Sequence, residues 1–157
     1  MRDTNTTESV KSRLSEDDDA CMLVEGHKPM IPEGDYLARY LWHDTAVLFV
    51  KAHKVVLHFE ICEGPHAGTR LTRYYRVKQL IGKSGRNGKF KLAAGSDLYR
   101  TLARLHDVRT RPDRISLRPL RTMLLRIGVR TVDRDRDNRS LSEGARYSVI
   151  ESVADGR

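Results

Sequence analysis

Two runs with a period of two dominate the middle of the chain. In 55–62, Val55, Leu57, Phe59 and Ile61 share one face, and Val56, His58, Glu60 and Cys62 share the other. Gly64, Pro65 and Gly68 follow, and then 70–77 alternates again. Leu71, Arg73, Tyr75 and Val77 fall on one side; Arg70, Thr72, Tyr74 and Arg76 fall on the other. β-Branched and aromatic residues on both flanks of turn formers predict a hairpin over 54–77. Neither face of its second strand is apolar throughout. One side is therefore expected to meet something other than a core.

The other elements are read in the same way. The run 34–42 predicts a first strand, with Tyr36, Ala38, Tyr40 and Trp42 on one face and Leu37, Arg39 and Leu41 on the other. The apolar piece AVLFV within 43–54 fits a strand continuation, a bulge or a ligand-touching loop. Three glycines and four bases in 81–92 predict a mobile loop. Ser96 is a candidate N-cap ahead of Leu98, Leu102 and Leu105, whose spacing predicts a helix over 96–106. A basic connector at 109–114 and one helical turn at 116–122 come next. Then 123–132 alternates as a fourth strand, with Gly128 marking a bulge or strong curvature. A long charged turn leads to a fifth strand at 147–153, with Tyr147, Val149, Glu151 and Val153 on one face. The expected fold is mostly β with one main helix, in the order β-β-β-α-β-β. That is the order of an OB-fold-like five-stranded Greek-key barrel. A generic α+β sandwich shares it.

Composition changes the picture through its distribution. The 157 residues suit one domain, and the net charge is +8. Residues 1–25 hold seven acids against three bases, whereas the remainder holds 26 bases against 14 acids. The expectation is an acidic, disordered tail over 1–25 and an OB-like domain over 26–157. A strongly basic body points to an acidic partner, most simply nucleic acid. Cys21 and Cys62 make no disulfide framework, so a reducing, cytoplasmic setting is expected. No apolar run approaches the ~20 residues of a membrane span.

Three apparent motifs fail on spacing. GKSGRNGK at 82–89 has five residues between Gly82 and Gly88, and Phe90 follows Lys89 where a phosphate loop needs Ser or Thr. Asp133, Asp135 and Asp137 begin like a calcium loop. The sixth position is Asn138 and the twelfth is Gly144, where Gly and Glu are needed. The six histidines have no zinc-ligand spacing. No catalytic constellation stands out, so neither an enzyme nor a cofactor is expected.

What remains is cations interleaved with aromatics. The candidate nucleic-acid-binding residues are Tyr40, Trp42, Lys54, His58, Arg73, Tyr74, Arg76 and Lys78 on or beside the first three strands. Lys83, Arg86 and Lys89 on the glycine-rich loop join them, with Arg126 and Arg130 on the fourth strand. Cations follow phosphates, and aromatic faces stack on unpaired bases at ~1–3 kcal/mol each. Tyr36, Tyr75, Tyr147 and one of Tyr40 or Trp42 are expected to pack in the core or at a barrel end.

IPEGDYLARY followed by KVVLHFEICEGPHAGTRLTRYYRV resembles a group of small phage and mobile-element proteins, over roughly 29–153. The shared pattern is Pro-x-Gly-x-Tyr on the first strand and a Glu-Gly-x-x-x-Gly turn before a strand with a polar aromatic patch. The resemblance implies an OB-like layout and single-stranded-DNA binding near replication or recombination genes, with no catalytic residue. It also implies structural roles for Gly34, Gly64, Gly68 and Tyr36. The expected function is non-catalytic binding of single-stranded DNA in replication or recombination of a phage or mobile element. The expected partners are single-stranded DNA, with RNA as the alternative, and less directly a second copy of the chain and replication or recombination proteins. A protein-binding adaptor is the alternative function, and a nuclease accessory role stands behind it.

Overall fold

The computed structural model describes residues 28–48, 52–105 and 116–157. The acidic segment 1–25, its apolar end CMLVEG and the connector 109–114 lie outside the described residues. Among the described residues eight strands are formed: β1 (Gly34–Leu48), β2 (Ala52–Ile61), β3 (Arg70–Arg76), β4 (Gln79–Ile81), β5 (Gly85–Arg86), β6 (Lys89–Lys91), β7 (Leu124–Val132) and β8 (Tyr147–Asp155). The α-helix of the described residues, α1 (Asp97–Leu105), separates β6 from a 3-10 turn at Arg118–Thr122.

The main sheet is antiparallel, in the order β3-β2-β1-β7-β8, with β5 added to β1. β1 is long enough to serve two neighbours. Its first half, Gly34–Arg39, pairs with β7, and its stretch from Ala38 to Leu48 pairs with β2. The successive antiparallel pairings leave the outer strands β3 and β8 running parallel to each other.

Apolar residues of these strands meet in one core. Ala38, Val55, Leu57, Phe59, Ile61, Leu71, Leu125 and Ile127 are all 2% exposed or less. α1 adds Leu98, Leu102 and Leu105 from its buried stripe and packs against both β3 and β8. Full burial of each such leucine contributes ~1.5–3 kcal/mol. Ser96 starts the helix: its Oγ accepts the Tyr99 N–H at 3.2 Å. Asp97 in the first turn and Arg104 in the last suit the helix dipole.

The fold is mostly β on an antiparallel sheet, as expected, but among the described residues that sheet is not closed into a barrel. No backbone ladder joins β3 to β8. The edge of β8 is engaged in other ways. The Ser148 N–H donates to the Pro29 carbonyl at 2.8 Å. Ser148 Oγ takes the Ile31 N–H at 2.8 Å and donates to the Ile31 carbonyl at 3.1 Å. Two residues further on, Arg73 Nη1 of β3 donates to the Ile150 carbonyl at 2.6 Å. An edge strand's exposed groups are thus met by an incoming segment and a side chain rather than by a neighbouring strand.

Two register shifts redirect side chains. One falls between Tyr40 and Trp42 on β1, and the other between Gly128 and Val129 where β7 meets β8. At the second, Gly128 opposes Ser152 but Val129 opposes Ile150, so Glu151 is the extra residue. The buried set on β8 is therefore Ser148, Ile150 and Val153 rather than an unbroken alternation. A Cβ on Gly128 would come within 2.3 Å of Ser152 Oγ.

The glycine-rich stretch 81–92 differs from the mobile loop that its composition suggested. β4 and β6 pair, and β5 is strapped to β1. The Asn87 N–H donates to the His43 carbonyl at 2.8 Å, and the Gly85 N–H donates to Thr45 Oγ1 at 3.1 Å. Gly88 is needed for this approach, because a Cβ there would lie 2.0 Å from Thr45 Oγ1.

Arg73 gives a direct test of the seam. Arg73→Met keeps an unbranched apolar stem but leaves the Ile150 carbonyl without its charged donor. Urea denaturation should show a loss of ~1.5–3 kcal/mol. Unchanged stability would show that the contact contributes nothing to holding β3 beside β8.

Candidate nucleic-acid interface

A cleft of about 810 Å³ straddles the β3–β8 seam. One wall is the outer face of β1, β2 and β3, contributing Trp42, Asp44, His58, Arg70, Thr72 and Tyr74. The other is built by β7, β8 and the turn between them, with Arg130, Arg134, Arg136, Tyr147 and Val149. Arg73 and Ile150 lie where the walls meet, and Lys28 and Arg86 lie at the cleft as well. Six arginines and one lysine face two aspartates, Asp44 and Asp135.

The first wall depends on the register shift in β1. Tyr40 opposes the core residue Phe59, but Trp42, two residues on, opposes His58. A strict alternation would place Tyr40 and Trp42 on the same side. The shift sends Tyr40 inward, at 4% exposure, and turns Trp42 onto the outer face. The Trp42 and His58 rings stack with centroids 4.5 Å apart and planes 19° from parallel. Asp44 Oδ2 ties them together: it accepts from Trp42 Nε1 at 3.2 Å and lies 2.6 Å from His58 Nε2. Because the carboxylate only accepts, Nε2 carries the proton of neutral His58. Val56, beneath, lies between Asp44 and Tyr74 in the ladder and is wholly buried.

Cations surround this platform. The Arg86 guanidinium lies 4.6 Å from the Trp42 ring centroid, and that of Arg70 lies 5.7 Å away. Across the cleft, Lys28 Nζ sits 4.2 Å over the Tyr147 ring. The 133–140 turn that carries Arg134 and Arg136 is held by Asp135. Its Oδ1 accepts the Asp137 and Arg139 N–H groups, each at 2.9 Å. Asp135 is thus occupied in shaping the turn that presents the two arginines.

The residues singled out in the sequence divide into three groups. Trp42, His58, Arg73, Tyr74, Arg86 and Arg130 are brought together in the cleft. Lys54 and Arg76 are ladder partners on β2 and β3, and Lys78, Lys83 and Lys89 are exposed; none of these five lines the cleft. Arg126 is exposed on β7 but does not line the cleft. Tyr40 belongs to the core: it meets Phe59 edge to face, its hydroxyl bonds His43 Nδ1 at 3.0 Å, and burial pushes the phenol up to about 12. Arg73 has a structural task, since its guanidinium both bridges to Ile150 and lies 4.8 Å from the Tyr75 ring.

The sequence pattern missed Lys28, Asp44, Arg70, Arg134, Arg136 and Tyr147. Arg70 shares its face with Thr72, Tyr74 and Arg76, so the period of two contained the signal. Asp44 was hidden by the register shift. Tyr147 was expected to pack, yet it is half-buried and lines the cleft.

Comparisons with known proteins returned no match: no family model fits the chain, and neither a curated protein nor a solved structure resembles it significantly. Among the described residues no helix is long and apolar enough to cross a membrane.

Burial lowers the His58 imidazole below its ordinary value of 6.5; the Asp44 contact opposes this, and Arg70 and Arg86 add to it. The unfolded chain therefore takes up this proton first as the pH falls. The stability contribution is complete above about pH 6.5 and is lost progressively below it. Denaturation midpoints measured between about pH 7.5 and about pH 5 should fall less steeply for His58→Gln than for the parent. Equal slopes would contradict the assignment.

Proposed function

We propose that this chain binds single-stranded DNA without performing chemistry, on an OB-like barrel whose last seam is left to side chains. One observation carries the reading: three aromatic residues, Trp42, Tyr74 and Tyr147, share a single cleft with a large excess of arginine. Cations alone would suit any polyanion. Aromatic side chains among them suit a strand whose bases are unpaired, because only then can a base leave its neighbours and meet a side-chain ring.

The layout supports the barrel. An OB-fold is a partly open five-stranded Greek-key barrel that binds oligonucleotides on its second and third strands, between its first and last interstrand loops. Counting β7 and β8 as the fourth and fifth long strands, the cleft takes in the β2–β3 face and the β7–β8 turn. The helix falls between the third and fourth long strands in chain order. The resemblance to small phage and mobile-element proteins agrees with this reading. It would set the activity in replication or recombination of such an element, and the lack of a disulfide framework suits the cytoplasm. An acidic protein partner would meet the same basic cleft, but it gives no reason for the rings.

Fluorescence anisotropy with labelled oligonucleotides tests the reading. Binding should be tighter for a single strand than for a duplex and should fall steeply with salt. Replacing Arg130 and Arg136 with alanine should weaken it and flatten the salt slope by about 0.7 per arginine. Arg126→Ala, outside the cleft, should change little. Equal affinity for single and double strands would remove the stacking component. Absence of binding to DNA and RNA alike would overturn the proposal, and metal-dependent cleavage of the oligonucleotide would favour a nuclease instead.

A further inference from the structure

Trp42 is the natural stacking platform of the cleft, yet His58, Arg86 and Arg70 already lie against its ring. The His58 imidazole lies parallel to one side at 4.5 Å. The Arg86 guanidinium lies against the ring at 4.6 Å. These two neighbours are held very differently. His58 is 7% exposed, sits inside the β2 ladder and is bound to the same Asp44 oxygen that holds the indole N–H. Arg86 is exposed, and among the described residues no hydrogen bond or ion pair to its guanidinium is seen beyond the ring contact. Its backbone is fixed nonetheless, because β5 is pinned to β1 at Asp44 and Thr45. A side chain that can swing on an anchored backbone thus lies over a ring on which His58 is already stacked.

We propose that Arg86 is a displaceable cover on Trp42: an unpaired nucleobase takes its place on the indole, and the guanidinium moves to the adjoining phosphate. This deepens the single-strand reading and rests on it. The exchange is favourable on both sides. A base stacked on an indole gives more than an exposed cation–ring contact, and a guanidinium–phosphate pair is a charge-assisted, two-pronged contact. The unliganded protein in turn keeps its large aromatic face covered. His58 and Asp44 do not move, so the platform is already oriented when the base arrives.

The chain contains a single tryptophan, so its fluorescence reports on this ring alone. A thymidine oligonucleotide should bind and quench Trp42. An abasic strand of equal length carries the same phosphates and should bind more weakly without quenching. Arg86→Ala should retain quenching by the thymidine strand, while the slope of log K against log salt becomes shallower by about 0.7. If the thymidine strand binds with Trp42 emission unchanged, or if Arg86→Ala leaves the salt slope intact, the cover is not displaced and the proposal fails while nucleic-acid binding stands. If neither strand binds, the underlying single-strand reading fails and takes this proposal with it.

Discussion

The hydrogen bond from Arg73 to the Ile150 carbonyl is the contact on which the site depends. β3 and β8 are the two ends of one antiparallel sheet, and they come together without a ladder. A guanidinium reaching from one to the other brings their outer faces alongside, and those faces are the walls of the cleft. α1 backs the same two strands from the core side. The arrangement places polar atoms at depth: Arg73 Nε and the Tyr75 hydroxyl are buried with no hydrogen-bond partner among the described residues. A ladder would have satisfied more backbone groups. It would also have needed the Ser148 N–H, which the Pro29 carbonyl already takes.

A second constraint lies within β1. The register shift between Tyr40 and Trp42 divides two neighbouring aromatics between core and cleft. From there Asp44 organises the platform by accepting from an indole and an imidazole at once. Its negative charge favours the gathering of the Arg70 and Arg86 guanidinium groups around Trp42. The strap formed by β5 brings Arg86 to that ring, and Gly88 permits the strap to lie against Thr45. Fold and site are linked here by close backbone approach rather than by any catalytic group.

Much of this was legible in the chain. The 54–77 hairpin, the Ser96-capped helix and the strands expected at 123–132 and 147–153, seen at Leu124–Val132 and Tyr147–Asp155, follow from alternation, capping and turn residues. So does the outer face of β3, where Arg70, Thr72, Tyr74 and Arg76 alternate with buried Leu71 and Tyr75. What was not legible turns on single-residue events. A register shift has no composition signature at Leu41, so Trp42 was grouped with Tyr40 and Asp44 was passed over. Glu151 likewise broke the alternation of β8 unseen, although Gly128 opposite it gave a hint. Glycines at 82, 85 and 88 suggested mobility, whereas 85 and 88 serve a tight strand-to-strand contact. Whether the barrel closes was not legible, because element order says nothing about which edge a proline carbonyl or an arginine will claim.

The central claim is that an unpaired strand lies across the seam and touches both walls. Ultraviolet cross-linking of a single-stranded oligonucleotide, followed by mass spectrometry of the modified peptides, tests it most directly. Adducts are expected on both sides, at Trp42 or Tyr74 on one wall and at Tyr147 on the other. Adducts confined to α1, or to the β7 face that carries Arg126, would contradict it.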